Sequence, residues 1–249
     1  MSLTIIVLVL VAFFAGAQNA LAGGGSFLTF PALLYAGLDP RAANITSAIA
    51  LFPGQLTTSF AGRSMVRGAV GLRLRTLVVI SLVGGLVGAA LLLVTPVSVF
   101  THLVPYLVAF ATVVFAWGSF FKKPRLEKQG PEISPRTGAV IQFLIAVYGG
   151  YFGGGIGILM LAALTAAGLL VRNAGATKNL LAGVMNAAAV VLFVVLTKVD
   201  WVIVGYVAVA AIAGGQLGVF LLRRINETVL RVGITLIGTA LTIGLFIRA

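Results

Sequence analysis

The residues with chemistry to offer are few and sit in apolar surroundings. Asn186 lies in the middle of an apolar run, and Thr177, Lys178 and Asn179 open the same run. A lone amide or ammonium in hydrocarbon needs a partner. Asn179 and Asn186 are seven apart, so on a helix they share nearly one face. A similar set occurs earlier: Gln18 and Asn19 before Gly23-Gly24-Gly25, Ser26 and Thr29 after it, then Asn44, Thr46, Ser47 and Gln55. A second triplet, Gly153-Gly154-Gly155, precedes the Lys178 run. Hydroxyls, amides, an ammonium and the freed N–H groups of a glycine turn or helix N-terminus are donors, and they suit a small anion.

What is missing agrees with that choice. All five acids, Asp39, Glu127, Glu132, Asp200 and Glu227, fall in loops or at the ends of apolar runs, so a proton relay or cation cage has no buried carboxylate. There is no Cys, and His102 has no His or Cys partner, which leaves no metal site and no thiolate nucleophile. No Ser–His pairing and no GxxxxGK[ST] loop appears. The expectation is a non-enzyme with no cofactor and no bound metal. Blander roles exist for each group. The glycines at 84, 88, 214 and 218 have the spacing of close helix packing. Ser and Thr can bond back to their own helix, Lys178 can snorkel to an interface, Arg41 and Arg172 lie where water can reach them, and His102 reads as interfacial.

The elements that position these residues must be membrane helices. The chain has 249 residues, 60% hydrophobic and 9% charged, against roughly 25% charged in soluble domains. Its mean hydropathy is +1.15. A soluble enzyme, a nucleic-acid binder and a disordered chain are excluded. The net charge of +12 falls mostly in short stretches between apolar runs, the pattern of loops held beside anionic lipid. Apolar runs lie near 3–22, 26–38, 42–62, 74–94, 98–121, 137–152, 156–170, 174–196, 200–222 and 228–247. They are continuously apolar and not alternating, which argues against a β-barrel. The stretch ending at Ala20-Leu21-Ala22 lacks a preceding basic residue and is read as a first span, not a cleaved leader.

Charge decides how the triplets act. If each is a turn, 14 of the 17 basic residues share one face and only Arg41, Lys198 and Arg248 lie on the other; if each merely interrupts one helix, the division is 11 to six. The larger bias favours turns, with both termini outside and the 122–136 loop in the cytoplasm. The halves also echo each other at 130–131 residues: the Gly triplets match, Arg41–Thr46 aligns with Arg172–Thr177, and Gly84-Gly85…Gly88 aligns with Gly214-Gly215…Gly218. The expected organisation is an all-α polytopic membrane protein, with a first repeat at 1–121, a linker at 122–136 and a second repeat at 137–249. Two repeats of five segments each, an odd number, insert inverted, as in many secondary transporters.

These residues resemble the TauE/SafE family of sulfite-exporter-like membrane transporters. The first half carries Gly23-Gly24-Gly25-Ser26-Phe27-Leu28-Thr29-Phe30-Pro31-Ala32-Leu33-Leu34, then Gly37-Leu38, Ala43 and Thr46-Ser47. The second carries Ala176-Thr177-Lys178-Asn179-Leu180, Asn186-Ala187-Ala188-Ala189, Phe193, Val199-Asp200-Trp201, Gly214-Gly215-Gln216-Leu217-Gly218 and Leu230-Arg231. Ser47 stands where the other half has Lys178, so a charged site would be asymmetric. The resemblance implies movement of small sulfur-containing anions such as sulfite, sulfonates or related organosulfur compounds, with export expected. The expected mechanism is alternating access, one repeat rocking against the other. The anion would be held by backbone donors of Gly23, Gly24, Gly25, Gly153, Gly154 and Gly155, by Thr46, Ser47, Thr177, Asn179 and Asn186, and by the charge of Lys178. The alternatives are a passive anion channel, a carrier of an unrelated small organic anion, and a non-transporting assembly partner. Expected partners are the small anionic substrate and membrane lipid of the inner (plasma) membrane, with a homo-oligomer allowed and no nucleic acid.

Overall fold

The computed structural model describes residues 3–21, 24–61, 63–69, 71–120, 134–221 and 227–248. These residues form ten α-helices: α1 (Leu3–Leu21), α2 (Ser26–Tyr35), α3 (Pro40–Ala61), α4 (Leu74–Val94), α5 (Val97–Phe120), α6 (Pro135–Tyr151), α7 (Ile156–Ala166), α8 (Val171–Leu196), α9 (Trp201–Leu221) and α10 (Glu227–Arg248). Among the described residues the only β feature is an isolated bridge between Ala69 and Leu72. Each expected apolar run is a helix, and α4 has the expected bounds. The protein is therefore an all-α polytopic membrane protein. Most of the 122–136 linker lies outside the described residues.

Polar residues at the run ends set where helices start. Asp39 Oδ1 accepts the N–H groups of Arg41 and Ala42 at the head of α3, and Asp200 Oδ1 accepts those of Val202 and Ile203 at the head of α9. Ser134 Oγ accepts from the Thr137 N–H at the head of α6. These are N-caps, and Pro40 and Pro135 follow two of them where a missing N–H does no harm. Asp39 and Asp200 thus have structural work at helix ends.

The short helices follow from the glycines on both sides of them. With 10 and 11 residues, α2 and α7 extend about 15–17 Å, half of the roughly 30 Å hydrocarbon thickness. They cannot cross by themselves. A Cβ on Gly25 would lie 2.6 Å from the Ala15 carbonyl oxygen, ten residues back. A continuing helix would separate those residues by about 15 Å, so the chain doubles back between α1 and α2. In the same way a Cβ on Gly149 would lie 3.2 Å from Ile156 Cγ2. Each short helix ends identically. Leu38 N–H bonds to the Leu33 carbonyl and Gly37 N–H to that of Leu34; Leu169 N–H bonds to Leu164 and Gly168 N–H to Thr165. Gly37 and Gly168 take φ of +95° and +92°, so both ends are Schellman caps, placed 131 residues apart.

Helix packing repeats when the halves are exchanged. α1 packs on α9 as α6 packs on α4, α3 on α9 as α8 on α4, and α2 on α10 as α7 on α5. Small residues bring the backbones together, as expected where lipid supplies no hydrophobic drive between helices. A Cβ on Gly84 would meet Ala146 Cβ at 2.6 Å, and one on Gly88 would overlap the Val147 carbonyl. A Cβ on Gly214 would overlap the Phe13 carbonyl, and one on Gly16 would overlap Ala211. The closest packing therefore joins helices of opposite halves. At the centre α3 lies against α8. Ser59 Oγ donates to the Asn179 carbonyl at 2.8 Å while Gln55, earlier in α3, meets Asn186, later in α8, so the two helices run antiparallel. Thr177 Oγ1 accepts the Arg67 N–H at 3.0 Å and donates to the Arg67 carbonyl at 3.1 Å. Gly71 lies beside Pro135. The basic residues Arg67, Arg73, Arg136 and Lys178 thus gather toward one end of the bundle.

Candidate functional site

A cavity of about 40 Å³ lies between facing sides of α3 and α8. By the measure on which one water needs roughly 10–15 Å³, it has space for about three waters. From α3 it takes Asn44, Ala48, Leu51 and Gln55, and from α8 Lys178, Asn179, Ala182, Asn186, Ala189 and Phe193. Those spacings of three, four and seven keep to one side of each helix. The two glycine turns close in on the same space. Gly24 (φ +88°) and Ser26 reach it from the start of α2, and Gly153 (φ +76°), Ile156 and Gly157 from the start of α7. The first N–H groups of a helix have no partner within it and carry its positive end. Two such ends converge on one cavity.

Lys178 supplies the charge. It is 3% exposed and lines the cavity. Among the described residues no carboxylate lines the cavity, and no acceptor is bonded to Lys178. An isolated buried ammonium is costly, so this arrangement favours an anion in the space beside it. Amides surround that space. Asn186 Nδ2 donates to Gln55 Oε1 at 2.6 Å, and Asn44 Nδ2 donates to the Tyr151 carbonyl at 2.9 Å. Gln18 Nε2 donates to the Gly24 carbonyl at 3.2 Å, holding the first turn. Its Oε1 is buried without a partner.

Of the residues expected at a site, the structure brings Gly24, Gly153, Lys178, Asn179 and Asn186 to the cavity. The others lie elsewhere. Ser47 shares a 2.6 Å hydrogen bond with Thr29, joining α3 to α2. The Thr177 hydroxyl is taken up by Arg67. Thr46 is buried outside the lining. Gly25 and Gly155 serve as the N-cap positions of α2 and α7, and the Cβ direction of Gly154 is filled by the Phe152 ring. Gly23 lies outside the described residues. Asn19, Ser26, Asn44 and Gln55, named among the polar residues around and after the first Gly triplet but not among the expected substrate contacts, line the cavity as well. One signal would have found Gln55: it precedes Asn186 by 131 residues, the repeat spacing itself. Arg41 is half-buried and donates from Nη1 to the Thr95 carbonyl at 3.1 Å. His102 is exposed, with Nδ1 2.7 Å from the Ser98 carbonyl oxygen.

Known proteins place this arrangement in a family. The chain is 28% identical over 232 residues to a Haemophilus influenzae protein named a probable membrane transporter protein, covering 90% of this chain and 88% of that one. A Sinorhizobium protein named probable membrane transporter protein ORF9 is 30% identical over 214 residues, 83% of this chain and 78% of its own. Probable membrane transporter protein YfcA of Escherichia coli K12 is 27% identical over 244 residues, 95% and 87%. Each similarity runs through both halves of this chain. Residues 8–245 match the family described as Sulfite exporter TauE/SafE, and the chain is a member of that family of membrane transporters.

Proposed function

We propose that this membrane transporter carries small sulfur-containing anions (sulfite, a sulfonate or a related organosulfur compound) out of the cell across the inner (plasma) membrane. The cavity is the binding site, reached from one side at a time. The observation that carries this reading is Lys178: a buried ammonium with no described partner, in a cavity lined by amides and two helix N-termini. Lys178, Asn179, Asn186, Gly24 and Gly153 are the proposed substrate contacts. Substrate class and outward direction draw on the family's description as sulfite exporters.

The repeats are read as inverted. The equivalent helices α3 and α8 run antiparallel, and α8 carries an apolar span at Asn173–Leu196. A two-fold relation between them then has its axis in the membrane plane, the plan on which many carriers alternate access around a midplane site. The basic end of the bundle is placed in the cytoplasm, with both termini outside. The test is uptake of radiolabelled sulfite into proteoliposomes, with empty vesicles beside them. Saturable uptake, accelerated by unlabelled sulfite inside, is the expected result. Flux that never saturates makes the protein a channel, and no flux above empty vesicles removes sulfite as the cargo.

A further inference from the structure

The two halves supply the cavity from matching positions. Asn19 pairs with Gly149, Ser26 with Ile156, Ala48 with Asn179, Leu51 with Ala182 and Gln55 with Asn186, all at spacings of 130 or 131 residues and all in the lining. A cavity lined by both members of each pair lies on the two-fold relation between the halves. It is therefore one site per chain, not one per half. Only the last pair makes a direct side-chain bond, at 2.6 Å. That bond crosses the space between α3 and α8 two turns of helix along from Lys178, so it bounds the room beside the ammonium. In three of the other pairs one half is polar where its counterpart is apolar or glycine, Leu51 and Ala182 are both apolar, and the single cation of the described lining comes from the second half alone.

We propose that Gln55, through the hydrogen bond it accepts from the Asn186 amide across the halves, determines specificity by sizing the cavity for one compact oxyanion. The inference rests on the anion-transport reading above. The present volume accommodates about three waters, enough for the four heavy atoms of sulfite and too little for a long organic tail. The described lining offers no carboxylate to receive a substrate ammonium. Shortening residue 55 would remove the amide that reaches across from α3 to Asn186 and so enlarge the one cavity that Asn44, Phe193 and Lys178 line. Replacing it with Glu would keep an oxygen for the Asn186 N–H but place negative charge against the anion.

The experiment measures binding of sulfite, methanesulfonate and propanesulfonate to the full-length protein in detergent by calorimetry, for native chain, Gln55→Ala, Gln55→Asn and Gln55→Glu. Each variant is first shown to be monodisperse and to retain its thermal transition. Native protein is expected to bind one sulfite per chain and to discriminate against propanesulfonate. Gln55→Ala and Gln55→Asn should shift the propanesulfonate-to-sulfite ratio upward by at least tenfold, and Gln55→Glu should lose sulfite binding. An unchanged ratio in Ala and Asn variants, or native sulfite binding by Gln55→Glu, overturns the role of Gln55 and leaves the anion reading standing. Native protein that binds none of the three anions overturns both.

Discussion

α3 and α8 hold the same place in the two halves and treat their polar residues in opposite ways. In α3, Ser47 spends its hydroxyl on Thr29, fixing α2 in position. At the equivalent point of α8, Lys178 turns into the cavity with no described partner. The short helix, its Schellman cap and the seating of Gly84 and Gly214 against a neighbouring helix agree between the halves, while the turns reach α2 and α7 with different backbone, Gly25 at φ −53° and its counterpart Gly155 at φ +73°. The side chains at the cavity disagree. Symmetry built the scaffold, and departures from symmetry supply the chemistry.

The largest effects should come from breaking what the halves share. Gly84→Leu and Gly214→Leu each force a side chain into a neighbouring helix, where overpacking costs at least about 1–3 kcal/mol and more against backbone. Both should abolish monodisperse protein in detergent, to the same degree; tolerance of one alone would end the equivalence. Next in size is a change at the point of difference. Lys178→Met should reduce sulfite uptake into proteoliposomes by about 10- to 100-fold, as loss of charge-assisted bonds worth about 1.5–3 kcal/mol implies. Because a buried unpaired charge is also removed, its thermal unfolding midpoint should not fall. Thr177→Val, one residue away, removes both bonds to Arg67 and leaves the Arg67 N–H unpaired, costing about 1–3 kcal/mol on thermal denaturation, with less effect on uptake than Lys178→Met. Smallest is Ser47→Ala. It gives up one neutral hydrogen bond, about 0.5–1.5 kcal/mol, with uptake unchanged. A Ser47→Ala variant that loses uptake while keeping its stability would place residue 47 at the substrate after all.

Helix order and near-correct bounds were legible in the sequence because each run of apolar residues in lipid has only one way to satisfy its backbone. The Gly triplets were legible as turns from charge bias. Side-chain direction was harder to read. Thr177, Lys178 and Asn179 are consecutive on a helix, so they point about 100° apart: Lys178 and Asn179 reach the cavity and Thr177 faces Arg67. Sequence neighbours were grouped into one site although a helix disperses them. Gln55 was passed over for the converse reason, since its partner lies 131 residues away on another helix. The expected rocking of one repeat against the other also meets an obstacle. The tightest contacts join α1 to α9 and α4 to α6, each pair drawn from both repeats, so rocking of one whole repeat against the other would have to part them.

That interlocking has a consequence for how the protein is made. Phe13 in α1 is seated against Gly214 in α9, about 200 residues downstream. At roughly 5–20 residues per second, α1 resides in the bilayer on the order of 10–40 s before its closest neighbour has been synthesised. Its contact face is then covered by lipid, which α9 must displace on arrival. Small residues at Gly16 and Gly214 let late assembly finish without a side chain to be threaded past another. α4 waits for α6 far less time, so the bundle should close from its middle outward, with α1 among the last to be locked in place.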